Sequence, residues 1–391
     1  LTINTSGLTT LNGNLTINNN IDFTQATGGT QLNADVLINS NTGNILFENS
    51  PITGTGNNLT LDTSGNISLD NVGQTGNELG ELTISNANIV DLFGDIFTIN
   101  NLDFTGASTV NIAESSVTLQ TNSGNGNINF SGVPIEATEP ENQLILNAGS
   151  GNITFNRVGT NIPLNSLLIN TDGQTNLGGN INLSGVDGIT FENATNIVLI
   201  NDVIINTTLG NGSINFNNAT INGNYNLELN AGTGNITLGT VGNNIPLNLL
   251  SINTSGLTNL GGNITISGTD GITFENATNV VLTNDVQIDT SFGNGIINFG
   301  NGTVDGNFNL QLSAGNGNII LSTFGDNESL NLLDIQTTGI TTLNGNLTTN
   351  ESINFTQATG GTELNTDVII NSNNGNIDFN NSPISGTGNN L

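Results

Sequence analysis

Paired carboxylates are the residues of this sequence best suited to chemistry. Asp187 and Glu192 return at a constant offset of 83 as Asp270 and Glu275. Two carboxylates about 5 to 10 Å apart can hydrolyse a glycosidic bond. A catalytic site normally occurs once in a chain, whereas this pair recurs with a fixed period. The recurrence favours a structural or solvating role, and we expect that the protein is not an enzyme.

Other charged residues recur in the same way. Asp202 returns as Asp285, and Asp35 returns as Asp367. Arg157 is the one basic residue of the chain, and its counterpart in the next repeat is a threonine. We therefore interpret Arg157 as a lone surface charge, not as a catalytic group.

Calcium binding is a second chemistry that the acidic residues suggest. Carboxylates, amides and carbonyls are the ligands that calcium prefers. Glu136, Glu139 and Glu141 form a weak candidate cluster for this ion, but no EF-hand loop or calcium-binding nonapeptide is present. A solvated acidic loop is the competing interpretation. We predict no required cofactor and leave loosely bound Ca²⁺ as an open alternative.

The composition excludes many classes of function. Among 391 residues, Lys and Arg together number 1, Asp and Glu number 31, and the formal net charge is −30. The absence of His and Cys rules out imidazole bases, thiolate metal sites and disulfides. Nucleic-acid binding needs a basic surface, so no nucleic-acid partner is expected. No apolar run approaches the ~20 residues of a membrane span, so no membrane insertion is expected.

Internal repeats dominate the sequence. The motif LNAGSGNITF at Leu146 returns as LNAGTGNITL at Leu229 and as LSAGNGNIIL at Leu312, each time at the same offset of 83. Residues 144–226 and 227–309 are identical at 58 of 83 positions. Such long ungapped repetition is typical of solenoids.

A longer period lies above the first one. Residues 9–59 match residues 341–391 at 40 of 51 positions, an offset of four times 83. We therefore divide the chain into the tail of a preceding unit and four repeat units, as one continuous solenoid that is a window of a longer array. The tail is residues 1–58, and the units are 59–143, 144–226, 227–309 and 310–390.

Short segments of alternating apolar and polar residues fill each unit. Alternation with period two is the strand signal, and the Gly-Asn and Asn-Gly pairs between the segments favour turns. With 79 Asn and 51 Gly, we expect Asn side chains to stack at the corners. The fold class that this predicts is all-β, a right-handed parallel β-helix. We expect about four turns per unit, each of about 21 residues, and about 18–19 turns in all.

Phenylalanine is placed regularly in this pattern. It recurs in an Ile/Leu-x-Phe motif, with Leu69, Leu238 and Leu321 at the same motif position elsewhere. Because equivalent residues of successive turns lie over one another, we predict a structural ladder of stacked rings. Its predicted members are Phe23, Phe47, Phe104, Phe130, Phe155, Phe191, Phe216, Phe274, Phe299, Phe355 and Phe379.

The GNI, LNG and ITF motifs, with the Gly-, Asn- and Thr-rich, Cys-free composition, carry a resemblance to a known group. The sequence resembles the filamentous haemagglutinin-like exoproteins and related giant bacterial surface proteins. In that group such repeats form a right-handed β-helical shaft that carries adhesive regions away from the cell. The resemblance therefore implies an extracellular, cell-surface location.

We expect a structural function: a segment of an extracellular bacterial fibre, sheath or adhesin shaft that acts as a rigid acidic rod. The expected partners are further repeats or copies of itself, end to end, and the cell envelope or extracellular matrix. The alternative is a β-helix that binds or cleaves polysaccharide. One Tyr and no Trp offer few rings on which sugars could stack.

Overall fold

A computed structural model describes all 391 residues, and it contains 46 strands and no helix. Successive turns of the chain pair in parallel, as shown at β1–β4 and at β24–β27. The architecture is a parallel β-solenoid of about 17 turns, which confirms the predicted fold class. The structure holds no helix of the length and apolarity needed to cross a membrane.

The chain divides into two compact units, Leu1–Asn196 and Ile197–Leu391. In the first unit, each turn contributes to three parallel ladders. The strands are β1 Thr2–Thr5, β2 Thr9–Leu11, β3 Leu15–Thr16, β4 Ile21–Ala26, β5 Thr30–Leu32, β6 Val36–Asn41, β7 Ile45–Leu46, β8 Ile52–Thr53, β9 Leu59–Thr63, β10 Ile67–Leu69, β11 Leu82–Leu92, β12 Ile96–Phe97, β13 Leu102–Asp103, β14 Ala107–Ile112, β15 Ser116–Gln120, β16 Ile128–Asn129, β17 Ile135–Ala137, β18 Gln143–Gly149, β19 Ile153–Phe155, β20 Leu164–Thr171, β21 Gln174–Leu177 and β22 Ile181–Glu192. Strand β23, Asn196–Leu199, follows at the boundary.

The second unit also has three ladders, which we name faces 1, 2 and 3 in the order in which each turn meets them. Face 1 contains β24 Val203–Asn206, β27 Asn226–Gly232, β29 Leu247–Thr254, the end of β31 Ile264–Glu275, β34 Ile297–Asn298, β37 Ile319–Leu321, β40 Thr341–Leu343, β43 Thr362–Leu364 and β46 Ile384–Ser385. Face 2 contains β25 Ile214–Asn215, β28 Ile236–Leu238, β30 Leu257–Leu260, β32 Asn279–Leu282, β35 Thr303–Asp305, β38 Thr323–Phe324, β41 Leu347–Thr349 and β44 Ile370–Ser372. Face 3 contains β26 Thr220–Asn222, the start of β31, β33 Val286–Asp289, β36 Asn309–Gly315, β39 Leu332–Thr337, β42 Ile353–Ala358 and β45 Ile377–Asp378.

The alternating sequence pattern becomes alternating burial. In β27, the inward side chains of Leu227 and Leu229 are fully buried, while the outward Glu228 between them is half-buried. The core is filled by Ile, Leu, Val, Phe and Ala. Each buried Leu, Ile or Phe side chain contributes about 1.5–3 kcal/mol relative to an exposed one. The solenoid is thus held together by a continuous apolar interior along each unit.

The turns are longer than the sequence analysis predicted. Paired positions on face 1 run through Val203, Leu227, Leu250, Ile272 and Ile297, so one turn advances the residue number by 22 to 25. The shorter expected turn followed from counting the longer steps of the Phe motif as two turns. Each of those longer steps covers one full turn and then two further faces. Phe155 pairs with Leu177 one turn later on the same ladder, whereas Phe191 lies on a different ladder. The predicted number of turns is therefore too large.

In the second unit, equivalent residues of successive repeats, 83 positions apart, lie on different faces. Strand β24 lies on face 1, but its copy β33 lies on face 3, where Ile288 pairs with Ile264. By the same step, β34 on face 1 is the copy of β25 on face 2, and β35 on face 2 is the copy of β26 on face 3. One repeat therefore spans three and two-thirds turns, slightly fewer than the four predicted.

This rotation also corrects the predicted phenylalanine ladder. The motif residues are buried except Phe379, which is half-buried, but they do not form one column. In the second unit, Phe274 and Phe299 lie on face 1, whereas Phe355 and Phe379 lie on face 3.

Short stacks replace the predicted continuous ladder. Stacked rings occur as the pairs Phe23–Phe47, Phe104–Phe130, Phe274–Phe299 and Phe355–Phe379, with centroids 4.3 to 4.8 Å apart. Leucine continues two of these columns. Leu69 follows Phe47 and Leu321 follows Phe299, as the motif predicted.

Glycine is required where corners, the segments that join two faces, pack against each other. A Cβ at Gly234 would lie 2.3 Å from the carbonyl oxygen of Gly212. At Gly317, the copy of Gly234, it would lie 2.2 Å from the carbonyl oxygen of Gly295. A side chain at either position would therefore force successive turns apart.

Candidate functional site

Asparagine and aspartate side chains at the corners link each turn to the next. Typically, the residue immediately before an inward apolar residue accepts a hydrogen bond from a backbone N–H one turn later. Asn318 Oδ1 accepts from the Ile340 N–H at 2.9 Å, and Asn235 Oδ1 accepts from the Leu257 N–H at 2.9 Å. Each such bond contributes about 0.5–1.5 kcal/mol net. The same contact recurs at Asn14, Asn44, Asp95, Asn101, Asn127, Asn152, Asn263 and Asn346.

The recurring aspartates of the sequence analysis belong to this corner set. Asp285 Oδ1 accepts from the Asn309 N–H at 2.9 Å, and Asp202 Oδ1 accepts from the Asn226 N–H at 2.9 Å. Asp35 and Asp367 make the same contact at 2.8 Å with Asn58 and Asn390. These four carboxylates therefore have a structural role.

Glu136 fills a related corner position. Its carboxylate is 6% exposed and accepts from the backbone N–H groups of Asn161 and Ile162 at 2.9 and 3.1 Å. In later repeats, Asn222 and Asp305 take this place and also accept from two consecutive N–H groups. Residues of different charge serve here, so the position selects an acceptor.

The candidate calcium cluster is not brought together around an ion site. Glu136 is turned to its backbone donors, whereas Glu139 and Glu141 are exposed. The structure has no group of three or more acidic side chains placed to hold a metal ion. Loosely bound Ca²⁺ stays a prediction, without a preformed site of that kind.

The other candidate residues lie on the surface. Asp187, Glu192 and their copies Asp270 and Glu275 are all exposed, as is Arg157. Both carboxylate pairs therefore face solvent in the same way in each repeat, which is the arrangement expected of solvating residues.

One surface that the sequence analysis missed is distinctive, and it lies on face 3 of the second unit. Two rows of outward polar side chains run along this face from turn to turn. The first row is Gln287, Gln311, Asp334, Asn354 and Asp378; the second is Asp289, Ser313, Gln336 and Gln357.

Asp334 is the centre of a hydrogen-bond network on this face. Its Oδ2 accepts from Gln311 Nε2 at 3.1 Å and from Gln336 Nε2 at 2.7 Å, and its Oδ1 accepts from Asn354 Nδ2 at 2.9 Å. These contacts hold long, otherwise flexible amide side chains in fixed positions across three successive turns.

Three shallow depressions adjoin one another along the two rows, with volumes of about 420, 370 and 500 Å³. The first shares Gln287 with the second, and it shares Leu332 and Asp334 with the third. We call this continuous surface the face-3 groove. A fourth depression, of about 500 Å³, lies apart from it, around Glu275 and Asn301.

A signal for this groove was present in the sequence. Gln287, Gln311, Gln336 and Gln357 are four of only ten Gln in the chain, and they follow one another at about one turn each. Without the turn length, these spacings could not be assigned to one face.

No family model, no curated protein and no solved structure matches the chain. The resemblance to filamentous haemagglutinin-like exoproteins therefore stays a prediction.

Proposed function

We propose that this chain is a structural repeat segment of an extracellular fibre, sheath or adhesin shaft. The observation that carries the proposal is the corner set of Asn and Asp acceptors, which ties each turn to the next throughout both units. Side chains that form bonds along the axis contribute to mechanical continuity and do not constitute a reactive site. The apolar core and parallel ladders support the same role.

The net charge of the chain supports the proposed role. A formal net charge of −30 opposes lateral aggregation of solenoids, because like-charged surfaces repel. Further repeats, copies of the chain and the cell envelope or extracellular matrix are the proposed partners.

Immuno-electron microscopy of cells that produce the protein tests the location and the role together. Antibodies raised against the purified chain should label projections or filaments outside the cell. Label confined to the cell interior would overturn the proposal.

Cryo-electron microscopy of the labelled material then distinguishes two forms of the proposal. Continuous filaments with ~4.8 Å axial layers indicate a polymer in which the solenoid is itself the product. Discrete shafts with a distinct tip indicate a stalk whose binding activity resides at the tip.

A further inference from the structure

We propose that the face-3 groove binds an extended, neutral polysaccharide chain, in addition to the structural role proposed above. The groove covers successive turns of one face, so its long direction follows the stacking of the strands. Side chains of one row repeat every ~4.8 Å along that direction. A polymer that lies along the groove would meet the same kind of polar group at each step.

The chemistry of the groove is suited to hydroxyl groups. Side-chain amides offer both donors and acceptors, and carboxylates offer acceptors. Gln287, Gln311 and Asp334 together can therefore bind sugar hydroxyls that act as hydrogen-bond donors and hydroxyls that act as acceptors. The Asp334 network fixes Gln311 and Gln336 before a ligand arrives. Pre-ordered side chains lower the entropy cost of binding.

An apolar contact lies at the centre of the groove. Leu332 is half-buried and lines both the first and the third depression, next to Asp334. Sugar rings present C–H groups as well as hydroxyls, and binding sites combine apolar contact with a few placed polar groups. Since no aromatic ring lines the groove, we expect modest affinity that increases with chain length.

The negative charge of the groove determines which polysaccharides can bind there. The groove carries Asp285, Asp289, Asp334 and Asp378 and no basic residue. Uronic-acid or sulfated polymers would be repelled by these carboxylates. Neutral chains carry no such penalty.

Two other ligand classes fit less well. A metal ion fits less well because the groove has no group of three acidic side chains placed to hold it. An extended peptide binds a sheet by adding a strand at an open edge, whereas the strands on both sides of β36 already pair with it.

Affinity electrophoresis tests the proposal. The purified chain is run in native gels that contain hydroxyethyl cellulose, mannan, mixed-linkage β-glucan or dextran, and in gels that contain polygalacturonate or heparin. We expect at least one neutral polymer to retard the protein and the anionic polymers to leave its mobility unchanged.

A matched pair of double variants locates the site. Gln311→Ala with Asp334→Ala removes the centre of the groove. Glu228→Ala with Ser251→Ala changes the corresponding residues one repeat earlier, on face 1, and also removes one carboxylate. The two variants therefore have the same net charge, and circular dichroism checks that both are folded.

The groove variant should lose about tenfold in affinity, which corresponds to ~1.4 kcal/mol, while the face 1 variant should stay within about twofold of the unchanged chain. Several results would overturn the proposal: no retardation by any of the neutral polymers, equal losses in both variants, retardation by the anionic polymers, or retardation that EDTA abolishes.

Discussion

Among single side chains, two buried threonines of the same turn, Thr254 and Thr258, differ in one respect. The Thr254 hydroxyl donates to the Gly234 carbonyl at 2.5 Å and accepts from the Gly256 N–H at 2.9 Å. The Thr258 hydroxyl is equally buried but has no hydrogen-bond partner. A buried polar group without a partner costs about 1–3 kcal/mol, so the two residues should respond in opposite ways to the same substitution.

Thr258→Val should therefore stabilise the chain by about 1 kcal/mol, because valine has nearly the same shape and its ladder neighbours are Ile236 and Val280. Thr254→Val should destabilise it by about 1–3 kcal/mol, since two backbone groups lose their partner. Urea unfolding followed by circular dichroism measures both. Equal destabilisation by the two variants would contradict the assignment.

Glycine at the corners can be tested with a control from the same chain. Gly317→Ala should destabilise by more than about 1 kcal/mol, because the new Cβ would meet the Gly295 carbonyl oxygen at 2.2 Å. Gly13 has no atom within 4 Å of such a Cβ and no positive φ. Gly13→Ala should be neutral or stabilising by about 0.4–1 kcal/mol, because alanine restricts the unfolded chain. The difference between their melting temperatures gives the answer, and similar values would count against the close corner contact.

At the scale of the strand ladder, the stacked ring pairs determine which substitutions each column of inward side chains accepts. Phe274 and Phe299 stack with centroids 4.8 Å apart and planes 7° apart, and Leu321 continues their column. Phe299→Leu should cost about 1–3 kcal/mol, because the ring stacks on Phe274 and also makes an edge contact with Phe324, and each aromatic pair contributes about 0.5–1.5 kcal/mol beyond burial. Phe299→Ala should cost about 3–5 kcal/mol because it leaves a cavity.

Guanidinium unfolding of these two variants measures the order. If Phe299→Leu lowers the free energy of unfolding as much as Phe299→Ala does, then side-chain volume does not determine stability in this column.

The ladders also show how far the sequence could be interpreted. Period-two segments such as Ile153–Phe155 predicted strands, and the repeats predicted a parallel solenoid, both of which the structure confirms. The turn length could not be derived, because the spacing from Phe155 to Phe191 is compatible with two short turns or with one long turn and two faces. Only the pairing of Phe155 with Leu177 decides between them. The face-3 groove was missed for the same reason.

For the whole molecule, the large excess of negative over positive charge opposes stability. With a net charge of −30, self-repulsion destabilises the compact state at low ionic strength. Raising NaCl from about 0.01 to 0.15 M shortens the screening length from ~30 to ~8 Å, so the melting temperature should rise and then level off. A melting temperature that does not change with salt would contradict this account.

Calcium chloride and magnesium chloride at equal concentration separate screening from binding. A diffuse atmosphere of divalent cations gives nearly the same melting temperature with either salt. A further increase that is specific to calcium would support the bound ions that the sequence analysis left open.

The rotation of the repeat from face to face has a consequence for how such a gene diversifies. When a unit is duplicated, its copy is displayed toward a different side. Each inward residue must fit a core approached from another face, so Leu227 and Leu250 persist as Leu310 and Leu333. The outward residues meet new neighbours and can differ, as Glu228 and Gln311 do. Copying thus preserves the interior while it supplies fresh surface in every direction.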